Sequence, residues 1–312
     1  MCNLNAPFFN DEEAARKYLE GQRWPNGPIC PHCGCDSRIY PVKPDRKKKI
    51  RKGLYQCNDC NQQFTVTVGT VFERSHIPLH KWLAATYLMC SSKKGISAKQ
   101  IERTLGVTYK TAWFMCHRIR EAMRDGNPGK LGGNFKTVEA DETYVGGSPR
   151  NYPGVGRVSK EKAKVMALVE RGGKARAFHV PAINARTLRP ILREHIKRES
   201  RLITDEAGHY LGSKHPITSD FVLFDYVTHS AGEYVRGNVY TNTVEGYFSI
   251  FKRGLNGIYQ HLSHQHLKRY LDEFCFRYNH REKLGFDDID RTNQALKGIE
   301  GKRLTYVRPH PQ

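Results

Sequence analysis

The chain has 312 residues, with 51 Lys+Arg against 31 Asp+Glu, a formal net charge of +20 and a pI near 9.6. That length allows two or three domains and a sizeable core, and so large a positive excess points to a polyanion, most often nucleic acid. No apolar run approaches the ~18 residues of a membrane span, and the polar, acidic start around Asp11, Glu12 and Glu13 does not read as a signal peptide. The expected compartment is therefore the cytoplasm, at the nucleoid, with no membrane partner. The charge is not confined to a tail. Residues 1–135 hold 22 Lys+Arg and 11 Asp+Glu, and the rest 29 and 20, as expected if several domains touch one double-stranded DNA.

Nine cysteines are an odd count, and four sit in two C-x-x-C units, Cys30-Pro31-His32-Cys33 and Cys57-Asn58-Asp59-Cys60. Without a secretory signal this favours metal over disulfides. Four thiolates close a tetrahedral structural Zn2+ site. Gly34 suits the knuckle turn because it tolerates positive φ, and Gln63 to Val68 alternates like a strand. Residues 1–75 thus read as a zinc ribbon behind an N-terminal helix, with Cys35 and His32 as bystanders or, in the alternative, substitute ligands. Between the knuckles, Arg46, Lys47, Lys48, Lys49, Arg51 and Lys52 make six cations in seven positions. They are expected to contact phosphates, which position a protein on DNA without specifying sequence.

Residues 76–126 read as helical. Leu79, Trp82, Leu83, Thr86, Tyr87 and Met89 recur at helical spacing. Ser97 to Gln100 opens a short helix, Leu105-Gly106-Val107 is a tight turn, and Thr108 caps a helix from Tyr109 to about Arg124 with Ala112, Met115, Cys116 and Ile119 as its apolar face. Helix, glycine turn, helix is the helix-turn-helix order. Tyr109, Lys110 and Trp113 are the expected base readers, and Arg118, Arg120 and Arg124 line the same helix. The Gly/Pro-rich run from Asp125 to Gly133 reads as a linker.

From 127 to 285 the chain becomes α/β. Thr137–Val145 is a strand carrying acids, 148–161 a Gly/Pro/Ser-rich basic loop, Lys164–Glu170 and Ala175–Val180 a buried hairpin, Asn184–Lys197 a helix, and Arg201–Asp205 a strand ending on an aspartate. Residues 240–254 and 263–281 read as helices, and 286–312 as a C-terminal tail. Acids on the first strand, at the end of the fourth, and on a later helix follow the ribonuclease-H-like order. The fold expected is therefore multidomain: a zinc ribbon, a helix-turn-helix and an α/β ribonuclease-H-like domain. The chemistry needs such a set, because two divalent cations that clamp one phosphate activate the nucleophile and stabilise the leaving oxygen. Mg2+ (or Mn2+) takes hard oxygen ligands and keeps several waters, so few carboxylates suffice. Asp141, Asp205 and Glu245 are the expected ligands. Asn242 and Lys252 lie on one helix face with Glu245, at −3 and +7, and Lys252 with Arg253 is expected to grip DNA. Glu139 shares the face of Asp141, while Glu142 and Glu206 are neighbours easily confused with the ligands.

The ordered set Val138-Glu139-Ala140-Asp141-Glu142-Thr143-Tyr144-Val145-Gly146-Gly147, Thr204-Asp205-Glu206, His229-Ser230 with Glu233-Tyr234-Val235, Thr241 to Glu245, Lys252-Arg253-Gly254 and Tyr270 to Arg277 resembles the bacterial insertion-sequence transposases with an N-terminal zinc ribbon, the ISXO2-like group related to the eukaryotic Merlin elements. The likeness runs from Cys30 to about Arg281. It implies a metal-dependent DDE transposase that cleaves its element's ends and joins the 3′-hydroxyls to target DNA, working as a dimer or larger on DNA. It implies Asp141 and Asp205 as the first two acids, and a third position that varies between glutamate and asparagine, here Glu245 with Asn242 as helper or substitute. His229 lies in a matching stretch. Tyr240 departs from the pattern, where a histidine is expected. Two other readings stay open: a transposase-derived DNA-binding regulator without chemistry, and a structure-specific nuclease on the same fold.

Overall fold

The structure is a computed structural model that describes residues 4–45, 47, 50–146, 150–152, 156–158, 162–212, 217–260 and 262–305. The chain divides into two compact units, residues 1–124 with 286–312, and residues 125–285.

The first unit opens with helix α1 (Glu12–Arg23), whose start is capped by the Asp11 side chain accepting from the Ala14 N–H. A three-stranded antiparallel sheet follows, β1 (Ile39–Pro41), β2 (Tyr55–Cys57) and β3 (Gln63–Phe64) in that order. Trp24, Tyr55 and Phe64 pack edge-on and stacked as its small core. Helices α2 (Leu79–Ser91), α3 (Ala98–Leu105) and α4 (Tyr109–Met123) come next. Ser97 caps α3 and Thr108 caps α4. Between them Gly106 stands at φ 60°, a left-handed conformation that other residues enter only at a cost.

The second unit is built on a five-stranded mixed sheet. Its strands are β4 (Thr137–Val145), β7 (Ala163–Glu170), β8 (Ala175–Val180), β9 (Arg201–Asp205) and β10 (Leu223–Val227), in the order β10-β9-β4-β7-β8. β4, β7 and β8 run antiparallel, and β9 and β10 run parallel to β4. Within the segment expected to be a loop, β5 (Arg150–Tyr152) pairs with β6 (Gly156–Val158), and the rest of that segment lies outside the described residues. Helix α5 (Ala185–His195) crosses from β8 to β9, and the short α6 (Gly208–Leu211) follows β9. A two-stranded ladder, β11 (Val235–Arg236) with β12 (Val239–Tyr240), leads into α7 (Asn242–Gly254) and α8 (His264–Asn279). One sheet face packs Val145, Val165, Ala167 and Val169 against Val244, Phe248 and Phe251 of α7 and Leu267, Leu271 and Phe274 of α8. The other packs Val138, Ala140, Met166 and Leu168 against Leu188 and Leu192 of α5 and Tyr210 of α6. Period-two alternation thus sorts each strand's residues between two cores. The fifth strand, β10, carried no alternation strong enough to be anticipated.

Residues 286–305 differ from the tail that their composition suggested. Helix α9 (Asp288–Lys297) has a full capping box between Asp287 and Asp290. Arg291 donates to the Cys90 carbonyl, and the Tyr18 hydroxyl to Asn293. This segment covers part of α4 and corrects the reading of Arg118. That residue is only 8 % exposed, donates to the carbonyls of Glu73 and Leu304, and lies over the Phe114 ring. Arg120 is buried as well. Arg118 does not face outward to meet phosphate, because its side of α4 is roofed by chain nearly two hundred residues later. Arg118→Ala should therefore destabilise the first unit by about 2–4 kcal/mol, since two carbonyls lose their donor. Thermal unfolding of the variant reads this.

Candidate active site

β4 and β9 lie side by side in parallel register, with Glu139 opposite Ile203. Continuing that register by two residues puts Asp141 level with Asp205, just beyond the last bridged pair. Odd-numbered residues of β4 face α7, as Val145 does, and even-numbered ones face α5, as Val138 and Ala140 do. Asp141 therefore points to the side where Glu245 stands near the start of α7. Buried Val244, Tyr247, Phe248 and Phe251 define the packed face of that helix, leaving Asn242, Glu245, Lys252 and Arg253 exposed. Lys252 sits about 10 Å further along the axis than Glu245.

Three of the acids are linked through Asp141. The Asp141 carboxyl is pushed up to about 7, first by burial, then by the charges of Glu142, Asp205 and Glu245, against the Glu142 N–H that donates to it. Asp141 thus lies within electrostatic reach of Asp205 and Glu245, with burial the larger influence on it. The three do not gather as tightly as bound ligands. Among the described residues, only the four cysteines form a group of three or more ligating side chains with all ligand atoms within 4.8 Å.

Each neighbouring acid has another partner. Glu139 is fully buried, pairs with the Arg171 guanidinium at 2.5 Å, and accepts from the Thr243 N–H and hydroxyl and the Val244 N–H. It thereby caps the first turn of α7 from the strand that carries Asp141. Glu142, on the opposite face, accepts from the Tyr210 hydroxyl and lies 3.1 Å from His209 Nε2. Burial works against charge on His209, but the Glu142 carboxylate holds its pKa above the usual value. Glu206 accepts from the N–H groups of His229 and Ser230. His229 lies 3.9 Å from Glu245 through Nε2, and Glu245 also accepts from the Thr241 hydroxyl. Tyr240, found where a histidine was expected, lies beneath Arg171, whose guanidinium is 3.5 Å from the ring centre and donates to the Tyr240 carbonyl.

In the first unit, Cys30, Cys33, Cys57 and Cys60 converge. Cys30–Cys60 and Cys33–Cys57 sulfur separations are 3.7 and 3.6 Å, against about 3.8 Å for a ZnS4 tetrahedron with 2.3 Å bonds. Backbone N–H groups, that of Cys60 foremost, hold the Cys57 thiol down at about 7, while burial leads in raising that of Cys60. Cys35 stays outside the group, its sulfur accepting from the Arg38 N–H. Of the basic loop, Arg46, Lys48 and Lys49 lie outside the described residues. Lys47 and Arg51 are exposed, and Lys52 pairs with Glu13 at 2.8 Å. On α4, Tyr109 is 51 % exposed and Lys110 is exposed, while Trp113 is half-buried against His117.

Residues 130–279 match the model of the ISXO2-like transposase domain, and residues 10–63 that of the transposase zinc-ribbon domain. The chain belongs to the ISXO2-like transposase family. It is also similar, at 30 % identity over 93 % of its own length and 96 % of the relative's, to a Halobacterium salinarum protein described as an uncharacterized protein in transposable element ISH50. Among the described residues of the transposase no helix is long and apolar enough to cross a membrane.

Arg171, His209 and Tyr210 went unnoticed in the sequence, and Thr241 and Thr243 stood only as parts of the matching stretch. Arg171 stood in a Gly-Gly turn and read as turn chemistry. The others carry no periodic or spacing signal. Glu206 supplies a pH test. Backbone N–H groups, that of Ser230 foremost, hold its carboxyl down at about 2 against an ordinary 4.5. A depressed carboxylate contributes its stability in full above about 4.5 and loses it as pH falls toward about 2. The 228–233 turn should therefore exchange its amides faster across that acid window. Glu206→Gln should bring the same loosening at neutral pH, read by hydrogen exchange.

Proposed function

We propose that this transposase cleaves the ends of its own insertion sequence and joins the freed 3′-hydroxyls to target DNA. The reading rests above all on Asp141 and Asp205 each lying two residues past the last bridged pair of adjacent parallel strands, with Glu245 on a helix tied to the first of those strands. The strand order, three antiparallel strands flanked by two parallel ones, supports a ribonuclease-H-like domain. When bound, two Mg2+ (or Mn2+) ions would activate the attacking oxygen and stabilise the leaving one. Asp141, Asp205 and Glu245 are the proposed ligands, and Asn242, at the exposed start of α7, is a helper. Lys252 and Arg253 project from the same helix to hold the DNA backbone beside the cut. Hydrolysis and strand transfer are both in-line displacements at phosphorus, so one carboxylate set serves both.

The α3–α4 pair is proposed as a helix-turn-helix with Tyr109 and Lys110 at the groove-entering end and Trp113 packed behind them. The ribbon, closed by zinc, presents Lys47 and Arg51 to phosphates. Bringing two element ends together calls for at least a dimer.

Asp205→Ala tests the assignment. With Mg2+ and duplex DNA bearing the inverted repeats that flank the gene, cleavage should fall by about a thousandfold or more, the scale expected when a metal-clamping ligand is lost. DNA affinity should stay within about twofold, because the proposed DNA contacts lie elsewhere. Retained cleavage would remove Asp205 from the site, and cleavage without joined product in the unaltered protein would favour a nuclease.

A further inference from the structure

Beside the carboxylate site stands an aromatic pair that the proposed chemistry does not use. The ring of Tyr234 is stacked on that of His229, centroids 5.2 Å apart and planes at 28°. Tyr234 is 62 % exposed. A tyrosine so open normally contributes little to folding, and this one has its ring backed by an imidazole whose Nε2 is 3.9 Å from Glu245.

The pair is also held in place. Glu206, next in sequence to Asp205, accepts from the backbone of His229 and Ser230, both at 2.8 Å. Glu233 closes the same turn by accepting from the Thr228 N–H. Gly232 adopts a left-handed φ of 75° between the two rings. Arg236, more than half exposed, donates to the Tyr226 carbonyl and pairs with Glu233 beside the platform. A flat, prearranged ring surface, backed by an imidazole 3.9 Å from an acid of the proposed cleavage site, has the chemistry that receives an unpaired base.

We propose that Tyr234, backed by His229, is a stacking platform for a nucleobase extruded from the DNA end next to the scissile phosphate. Taking a base out of the stack at an end costs least where pairing is already weak, and an aromatic face accepts any of the four bases. Stacking would hold the end frayed and keep the backbone aligned past Glu245. This inference rests on the reading of the carboxylates as the DNA-cleaving site, but its test does not require cleavage.

The test compares the full-length protein with Tyr234→Ala and Tyr234→Phe, in buffer without added divalent cation. The probes are a short duplex ending in a few unpaired adenines, one of them fluorescent 2-aminopurine, and the same duplex blunt-ended. The unaltered protein should bind the frayed end about tenfold more tightly than the blunt one, the scale of one base–aromatic stack, and should change the 2-aminopurine emission. Tyr234→Ala should lose both the preference and the emission change, binding the two duplexes alike. Tyr234→Phe should keep both, since the ring and not the hydroxyl carries the contact. An undiminished preference in Tyr234→Ala, or none in the unaltered protein, overturns the proposal. Absence of metal-dependent cleavage would instead count against the proposed chemistry, and leaves this binding result readable.

Discussion

Glu139 is the side chain on which the geometry of the catalytic unit depends. Removing a carboxylate from water costs several kcal/mol unless charge and hydrogen bonds are supplied around it. Here they come from Arg171, Thr243 and Val244. Two of these donors are free N–H groups in the first turn of α7, so the carboxylate meets its own needs and those of the helix end together. Because Glu139 sits two residues before Asp141 on the same strand face, the start of α7 is tied to the strand beside that aspartate. Glu245, on the first turn of α7, inherits its position from this contact. Arg171 extends the tie to Asn238 and Tyr240, so the hairpin leading into α7 is fastened at the same point.

The paired acids divide their roles by the pleat. Asp141 and Glu142 are adjacent and therefore face opposite sides of the sheet. Asp141 joins the shared carboxylate field, and Glu142 anchors α6 through His209 and Tyr210. After β9, Asp205 contributes to that field and Glu206 fastens the His229 turn. Each aspartate proposed to bind metal thus has a glutamate beside it that fixes a wall of the site. Burial is the first cost of the arrangement, with the neighbouring acids adding to it, and both push the Asp141 carboxyl up to about 7. A divalent cation would offset both.

Much of this was legible in the chain. The two C-x-x-C units, the caps at Ser97 and Thr108, the strand ending on Asp205 and the apolar spacing of α2 are local signals, and each produced its element. The two family domains follow the same division. What escaped notice depends on contacts between distant segments. Arg118 looked like a surface cation because nothing near it in sequence shows that residues 286–305 lie across α4. Arg171 looked like part of a turn because its partners are thirty-two and about seventy residues away. Glu139 was placed on the right face by alternation alone, but its task as a helix cap is a tertiary fact.

The account turns on Glu139 positioning residues that it does not itself replace as ligands. Mn2+ binding to Glu139→Gln, followed by electron paramagnetic resonance alongside the unaltered protein, tests this most directly. Glutamine keeps the shape, but its amide NH2 must confront either the helix N–H groups or the guanidinium. Mn2+ affinity should fall by about tenfold, the loss typical when a partner behind the ligands is altered, in a protein that still folds. Unchanged affinity in folded Glu139→Gln would contradict the account.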